Sequence, residues 1–251
     1  LDEWFESKLL RGSLAGSAIT HITQGPYSAA TCLNFLHQHI HASGQIHSAN
    51  YIKEGTDKFA YSLYKSAEKM GADIRTGIPV SSINCKSGIC FGVSTSDGKT
   101  YNSDMVISGL DPANTFIKLA GSSEISLTFQ RQLKNIKYRG STARIHFSLK
   151  KLPEITGIDI GQLDTIFSIN PSMEYLERAY DDAKYGRISE KPYIEFCIPS
   201  LSLPKYAPKG KHVLSATLQY LPYRLRSCNW DEKLKNRLIQ NVTHILEKYI
   251  P

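Results

Sequence analysis

Residues 71–112 read GADIRTGIPVSSINCKSGICFGVSTSDGKTYNSDMVISGLDP, and here apolar residues arrive in short bursts cut by turn residues. Ile74, Val80, Ile83, Ile89, Phe91 and Val93 are interrupted too often for a helix, whereas half-buried strands tolerate that spacing. The breaks fall at Gly77-Ile78-Pro79, Lys86-Ser87-Gly88 and Ser96-Asp97-Gly98. A tight hairpin needs positive φ, which Gly accepts freely and Asp resists least among the non-glycines, so Asp97-Gly98 is the sharpest turn signal. Residues 89–95 and 99–101 are therefore expected to pair antiparallel within a β-meander. Residues 104–109 (DMVISG) are apolar without alternation, the pattern of a strand covered on both faces. Ahead of the meander, residues 58–70 place Phe59, Leu63, Ala67 and Met70 at helical spacing, and Gly71 is a natural stop.

The remainder suits helices packed on a mixed sheet. Residues 1–14 read as an amphipathic helix carrying Trp4, Phe5, Leu9 and Leu10, with Asp2 near its start. Residues 29–40 predict a second helix with Cys32, Phe35, Leu36 and His39 or Ile40 inward. Asp111-Pro112 opens another, Asp111 as cap and Pro112 at the first position, and residues 127–136 form the next. Clean alternation over residues 143–149 predicts a strand, as do residues 165–169, 193–199 and 212–220. A helix over 172–185, capped by Ser172, separates the second and third of these. A last helix over 231–249 carries Leu234, Leu238, Val242 and Ile245 on one face. The fold class is α+β, a mixed and largely antiparallel sheet with packed helices plus the meander.

Composition bounds the partners. At 251 residues, 41% hydrophobic and 21% charged, the chain suits ordinary folded protein, and no apolar run approaches the roughly 20 residues of a membrane-spanning helix. A net charge of +7 raises nucleic acid as a partner. The basic residues are scattered, however, and the densest group, Arg131, Lys134, Lys137 and Arg139, reads as a solvated helix face. No nucleic-acid partner is expected. Five cysteines without CxxC spacing suit free thiols in a reducing compartment, cytoplasm or mitochondrial matrix. The chain opens on Leu1-Asp2-Glu3-Trp4-Phe5 without an initiator Met and is expected to be part of something longer.

His37, His39, His41 and His47 are half of the eight histidines. No carboxylate or paired cysteine sits at ligand spacing beside them, so no metal site is expected. No Gly-x-Ser-x-Gly elbow presents a nucleophile, and the sequence names no catalytic acid, base or nucleophile.

The stretches GADIRTGIPVSSI and FGVSTSDGKTYNSDMVISGLDPANTF resemble the middle of FAD-dependent oxidoreductases of the phytoene desaturase and amine oxidase type. LDEWFES, the tract from Glu177 to Tyr223 and NWDEK resemble one subgroup of that class. The resemblance implies three portions: residues 1–57 as the helical part of a substrate domain, 58–112 as the central piece of an FAD-binding domain, and 113–251 as the rest of the substrate domain. It implies FAD in the whole protein and hydride transfer from a small-molecule substrate, apolar or an amine, lying against the strands that hold Ala143, Tyr193 and His212. A protein partner or homo-oligomer is also open.

By position, the resemblance sets Val80 where the family's backbone meets the adenine and Ser108-Gly109 near the dinucleotide. It sets Gly55 near the flavin ring. Relatives carry Gly-Gly-Met-Gly there, and this chain has Glu54-Gly55-Thr56-Asp57. Glycines let a backbone approach a ligand, and two acidic side chains in their place speak against that approach. They keep open a non-catalytic interaction or regulatory protein on the same scaffold. The family's Gly-x-Gly-x-x-Gly phosphate turn does not occur in these residues, so this chain alone is expected to bind no flavin and to be inactive.

Overall fold

The computed structural model describes residues 1–40, 52 and 54–250, which fall into two compact units, Leu1–Phe59 with Arg139–Pro251, and Ala60–Tyr138. The helices in chain order are α1 (Lys8–Ile19), α2 (Thr31–His39), α3 (Thr56–Lys69), α4 (Leu127–Asn135), α5 (Met173–Lys184), α6 (Pro199–Ser202) and α7 (Glu232–Leu246). The strands are β1 (Val80–Lys86), β2 (Ile89–Thr95), β3 (Thr100–Asn102), β4 (Thr142–Leu149), β5 (Phe167–Ile169), β6 (Tyr193–Cys197) and β7 (His212–Gln219). The class is α+β with antiparallel sheets, as the alternation and turn signals require.

In the larger unit the strand order is β4-β7-β6-β5, every pair antiparallel. Register sets Ile145 opposite Ala216, which is opposite Phe196, which is opposite Phe167. With Leu214, Leu218 and Ile194 they form one apolar face, packed with Leu238, Val242 and Leu246 of α7. Each Leu, Ile, Val or Phe among them contributes about 1.5–3 kcal/mol on full burial, so this face holds the unit together. Asp231 caps α7, its Oδ1 accepting from the Leu234 amide at 2.7 Å.

A second core joins α1, α5 and the ends of β6 and β7 through Ala15, Ile19, Leu176, Ala179, Tyr193 and Tyr220. Here the first helix departs from expectation. It spans Lys8–Ile19 with Ser7 as cap, and Trp4 lies outside it with 82% of its surface exposed. The buried side is the small-residue run Gly12, Ala15, Gly16, Ser17, Ala18 and Ile19. Small residues win because the backbones touch: a Cβ on Gly12 would lie 2.4 Å from the Asn170 carbonyl oxygen. Asn170 closes the contact by donating from Nδ2 to the Gly12 carbonyl at 3.0 Å. In α2 only Thr31 is buried, while Cys32, Leu36 and Ile40, expected inward, are exposed.

The smaller unit contains the meander, β1-β2-β3, all antiparallel. Thr95 and Lys99 flank the Asp97-Gly98 turn, as expected, and the Thr95 hydroxyl donates to Asp97 Oδ1 at 2.5 Å. Asp111 caps the next turn by accepting from the Asn114 amide at 3.0 Å, although the helix that follows, Ala113–Leu119, is π-helical. Two expected strands are corrected. The segment around Ile74 joins no ladder, and neither does 104–109, where Met105 is 72% and Ile107 89% exposed. A strand covered on both faces needs flanking strands, and the meander is complete with three. Neither segment has a ladder partner among the described residues.

Two outcomes follow from this packing. Gly12→Ala forces a methyl against backbone and is expected to lower unfolding free energy by about 1–3 kcal/mol in denaturant titrations. In the meander, the Thr95 hydroxyl and then Lys99 hold the Asp97 carboxyl down at about 2, against 3.8 for an ordinary Asp. A carboxyl whose pKa falls on folding stabilises the fold above 3.8, and that contribution is lost as pH drops through about 2. NMR titration is expected to place the Asp97 midpoint near 2, with Thr95→Val moving it up towards 3.8.

Candidate functional site

The alternation that turns Ile145, Ala216 and Phe196 onto α7 turns their neighbours the other way. Arg144 and His146 of β4, Thr217 and Ser215 of β7, and Glu195 and Cys197 of β6 share this second face. It floors a cavity of about 540 Å³ whose remaining wall includes His21, Ile166, Pro199, Tyr206 and Val213. Arg144, Thr217 and Glu195 are directly in register across three strands. Strands lie about 4.8 Å apart, so the Arg144 and Glu195 backbones are roughly 10 Å apart with a hydroxyl between them.

Neither charge is neutralised by an ion pair among the described residues. The Tyr193 hydroxyl donates to Glu195 Oε1 at 2.6 Å. Burial, then the Glu195 charge, push the Tyr193 phenol well up, so it stays a donor and holds the carboxylate in place. Burial also pushes the Cys197 thiol up, against the opposing pull of Arg144. Cys197 is thus a neutral thiol rather than an activated nucleophile. His21 reaches the cavity wall because β7 holds its backbone: its amide donates to Gln219 Oε1 at 2.8 Å, and Gln219 Nε2 donates to the Ile19 carbonyl at 2.6 Å. The arrangement sets one cationic, one anionic and several hydroxyl or imidazole groups on a single face of the sheet.

The four residues carried over for the cofactor do not share one unit. Val80, Ser108 and Gly109 belong to the smaller one, Gly55 to the larger. Val80 starts β1 and is exposed, and a Cβ on Gly109 would meet nothing within 4 Å. Ser108 shares a hydrogen bond with Thr115 through their hydroxyls at 2.7 Å and lines a separate cavity of about 450 Å³. Gly55 has φ of 95°, where glycine is at ease, yet its open side is filled: a Cβ there would lie 2.7 Å from Asp57 Oδ1 and 3.1 Å from the Tyr206 hydroxyl. Lys205 Nζ donates to the Glu54 carbonyl at 2.7 Å and to Asp57 Oδ2 at 3.1 Å. That contact holds the Asp57 carboxyl below its usual range.

Sequence reasoning missed Lys205 and Tyr206, which arrive from a loop about 150 residues downstream of Gly55 with no local signal. It also missed Arg144 and His146, although the period-two pattern of ARIHFSL sets both on one face. His41 and His47 lie outside the described residues, and among those described no group of three or more His, Cys, Asp or Glu is placed to hold a metal.

Similarities to known proteins now bear on this geometry. The family model for flavin-containing amine oxidoreductases matches residues 10–251. Pyridine nucleotide-disulfide oxidoreductase domain-containing protein 2 of Rattus norvegicus is 31% identical over 263 residues, covering all of this chain and 45% of the relative. The Mus musculus protein of that name is 30% identical with the same coverage. The 4,4'-diaponeurosporene oxygenase of Staphylococcus haemolyticus is 25% identical over 89% of this chain and 41% of its own length. The chain therefore spans less than half the length of these relatives. Among solved structures, a Pyrococcus furiosus protein aligns over 99% of this chain and 54% of its own, with a TM-score of 0.62 at 20% identity, a likeness of fold. The match over nearly all of its residues means that the chain, with its antiparallel sheet in one unit and a β-meander in the other, belongs to the flavin-containing amine oxidoreductase family.

Proposed function

We propose that the whole protein is an FAD-dependent oxidoreductase in which residues 1–57 and 113–251 supply most of the substrate domain and residues 58–112 the central piece of the flavin domain. Two features of the smaller unit suit a dinucleotide. Val80 leaves an exposed strand start, and Gly109 leaves a stretch of backbone with open space where a side chain would be. The Gly55 turn does not suit a flavin ring, because Asp57, Lys205 and Tyr206 already occupy the space a glycine leaves. No flavin contact is assigned to it.

The observation that carries the substrate side is the unneutralised Arg144 and Glu195 on the polar sheet face. Arg144 is exposed and Glu195 half-buried, so both charges can meet water or a polar ligand. It favours an amine over an apolar substrate. Glu195, with Oε1 held by Tyr193, accepts from the substrate nitrogen through its other oxygen, Arg144 receives an anionic or carbonyl group, and the Thr217 hydroxyl lies between them. Bound FAD supplies the acceptor for the two electrons that leave the substrate carbon as hydride. The chain's own part is positioning.

The complete protein, reconstituted with FAD, is expected to be yellow and to lose flavin absorbance when mixed anaerobically with a polar amine. Glu195→Gln is expected to raise KM roughly tenfold to hundredfold, the loss of a hydrogen bond to a charged group, with flavin content unchanged. If no amine reduces the flavin, this substrate assignment falls. This 251-residue chain by itself is expected to purify without flavin, since it contains no Gly-x-Gly-x-x-Gly turn.

A second reading, a non-catalytic interaction or regulatory protein, draws support from the filled Gly55 turn. A complete protein that stays colourless after reconstitution favours it over the enzyme.

A further inference from the structure

The turn between β1 and β2 brings two of the five free cysteines opposite each other. Ser87 and Gly88 have φ of 52° and 78°, so both central residues are left-handed, as a two-residue type I′ hairpin demands. Lys86 pairs with Ile89 to close that turn, and Cys85 pairs with Cys90 next. Hydrogen-bonded and non-hydrogen-bonded pairs alternate along an antiparallel ladder, and the pair flanking a two-residue loop is the hydrogen-bonded one. Cys85 and Cys90 therefore occupy the non-hydrogen-bonded position, where Cα atoms lie about 4.5 Å apart and side chains are closest. Disulfides span Cα separations of roughly 4.4–6.8 Å, a range that includes such a directly opposed pair, and the ladder shifts register only beyond it, between Asn84 and Cys85.

Access and environment agree. Both side chains are half-buried and line one cavity of about 450 Å³ within the smaller unit, walled by apolar groups such as Val106, Leu110 and Phe116. A small neutral oxidant fits such a space. Glu124 steadies the turn by accepting from the Gly88 amide at 3.1 Å.

We propose that Cys85 and Cys90 are a site of reversible oxidation, a dithiol that a peroxide converts into a disulfide bridging β1 and β2. In the first step the Cys90 sulfur attacks one peroxide oxygen, the O–O bond breaks, and Cys90 becomes a sulfenic acid as one water leaves. In the second the Cys85 sulfur attacks the Cys90 sulfur, an S–S bond forms, the S–O bond breaks, and a second water departs with the remaining thiol proton. Two thiols lose two electrons and two protons, and one hydrogen peroxide becomes two waters. Burial, then the nearby Cys90, push the Cys85 thiol up, which disfavours it as the first sulfur to attack the peroxide.

The test uses hydrogen peroxide on the 251-residue chain, with thiol titration and intact mass before and after. Two of the five thiols are expected to disappear, the mass to fall by two hydrogens, and dithiothreitol to restore both. Lys86 lies between the two cysteines, so trypsin puts them on separate peptides that stay joined only through an 85–90 bridge. In Cys85→Ser the bridge is expected to be lost and a sulfenic adduct to be trapped on Cys90 by dimedone. Retention of all five thiols at a peroxide dose that oxidises free glutathione, or a bridge mapped to any other pair, overturns the proposal.

Discussion

The larger unit depends on a sheet whose two faces cannot be exchanged. Apolar side chains of β4, β7 and β6 meet α7, and the period of two leaves Arg144, Thr217 and Glu195 on the opposite side. A slip of one residue in β4 or β6 would drive Arg144 or Glu195 towards the α7 core and turn Ile145 or Ile194 away from it. The cost of burying an unpaired charge, several kcal/mol, exceeds what one aliphatic side chain returns, so register and site are specified together. The polar face is the other side of the stability argument.

What surrounds that face is positioned by contacts across long stretches of chain. α1 lies close to the 170–172 backbone because Gly12 carries no Cβ, Gly16 leaves room for the Asn170 and Tyr193 side chains, and Gln219 on β7 holds the end of α1 through the His21 amide and the Ile19 carbonyl. Lys205 and Tyr206, on the loop between β6 and β7, fill the Gly55 turn in the same way. A substitution in any of these connectors would act on the cavity through its wall.

Legibility in the sequence followed the range of the interactions. The meander turns, the Ser172 cap and the α7 stripe are local, and each was readable from a few adjacent residues. The run at 104–109 was misread because a short apolar segment looks the same whether or not it has neighbouring strands, and here Met105 and Ile107 are exposed. The first helix was misread because large apolar residues attract attention, while Gly12 and Gly16 show their role only against Asn170 and Tyr193. Of the candidate site, the resemblance supplied Val80, Ser108, Gly109 and Gly55; the polar face went unread although its alternation was visible, because alternation does not say which strands are neighbours.

By itself, then, the sequence determined most of the helices and the strands that alternate, the meander turns, the Ser172 cap and the membership of a flavin oxidoreductase family, all of which reside in local pattern or quoted motif. The tertiary structure alone decided that β4 pairs with β7 rather than with a sequence neighbour, that Arg144 therefore faces Glu195 across Thr217, and that Lys205 fills the Gly55 turn. The physical reason is that these contacts join residues some 50 to 150 positions apart, and which of them form depends on how apolar area is shared over the whole unit rather than on any short stretch.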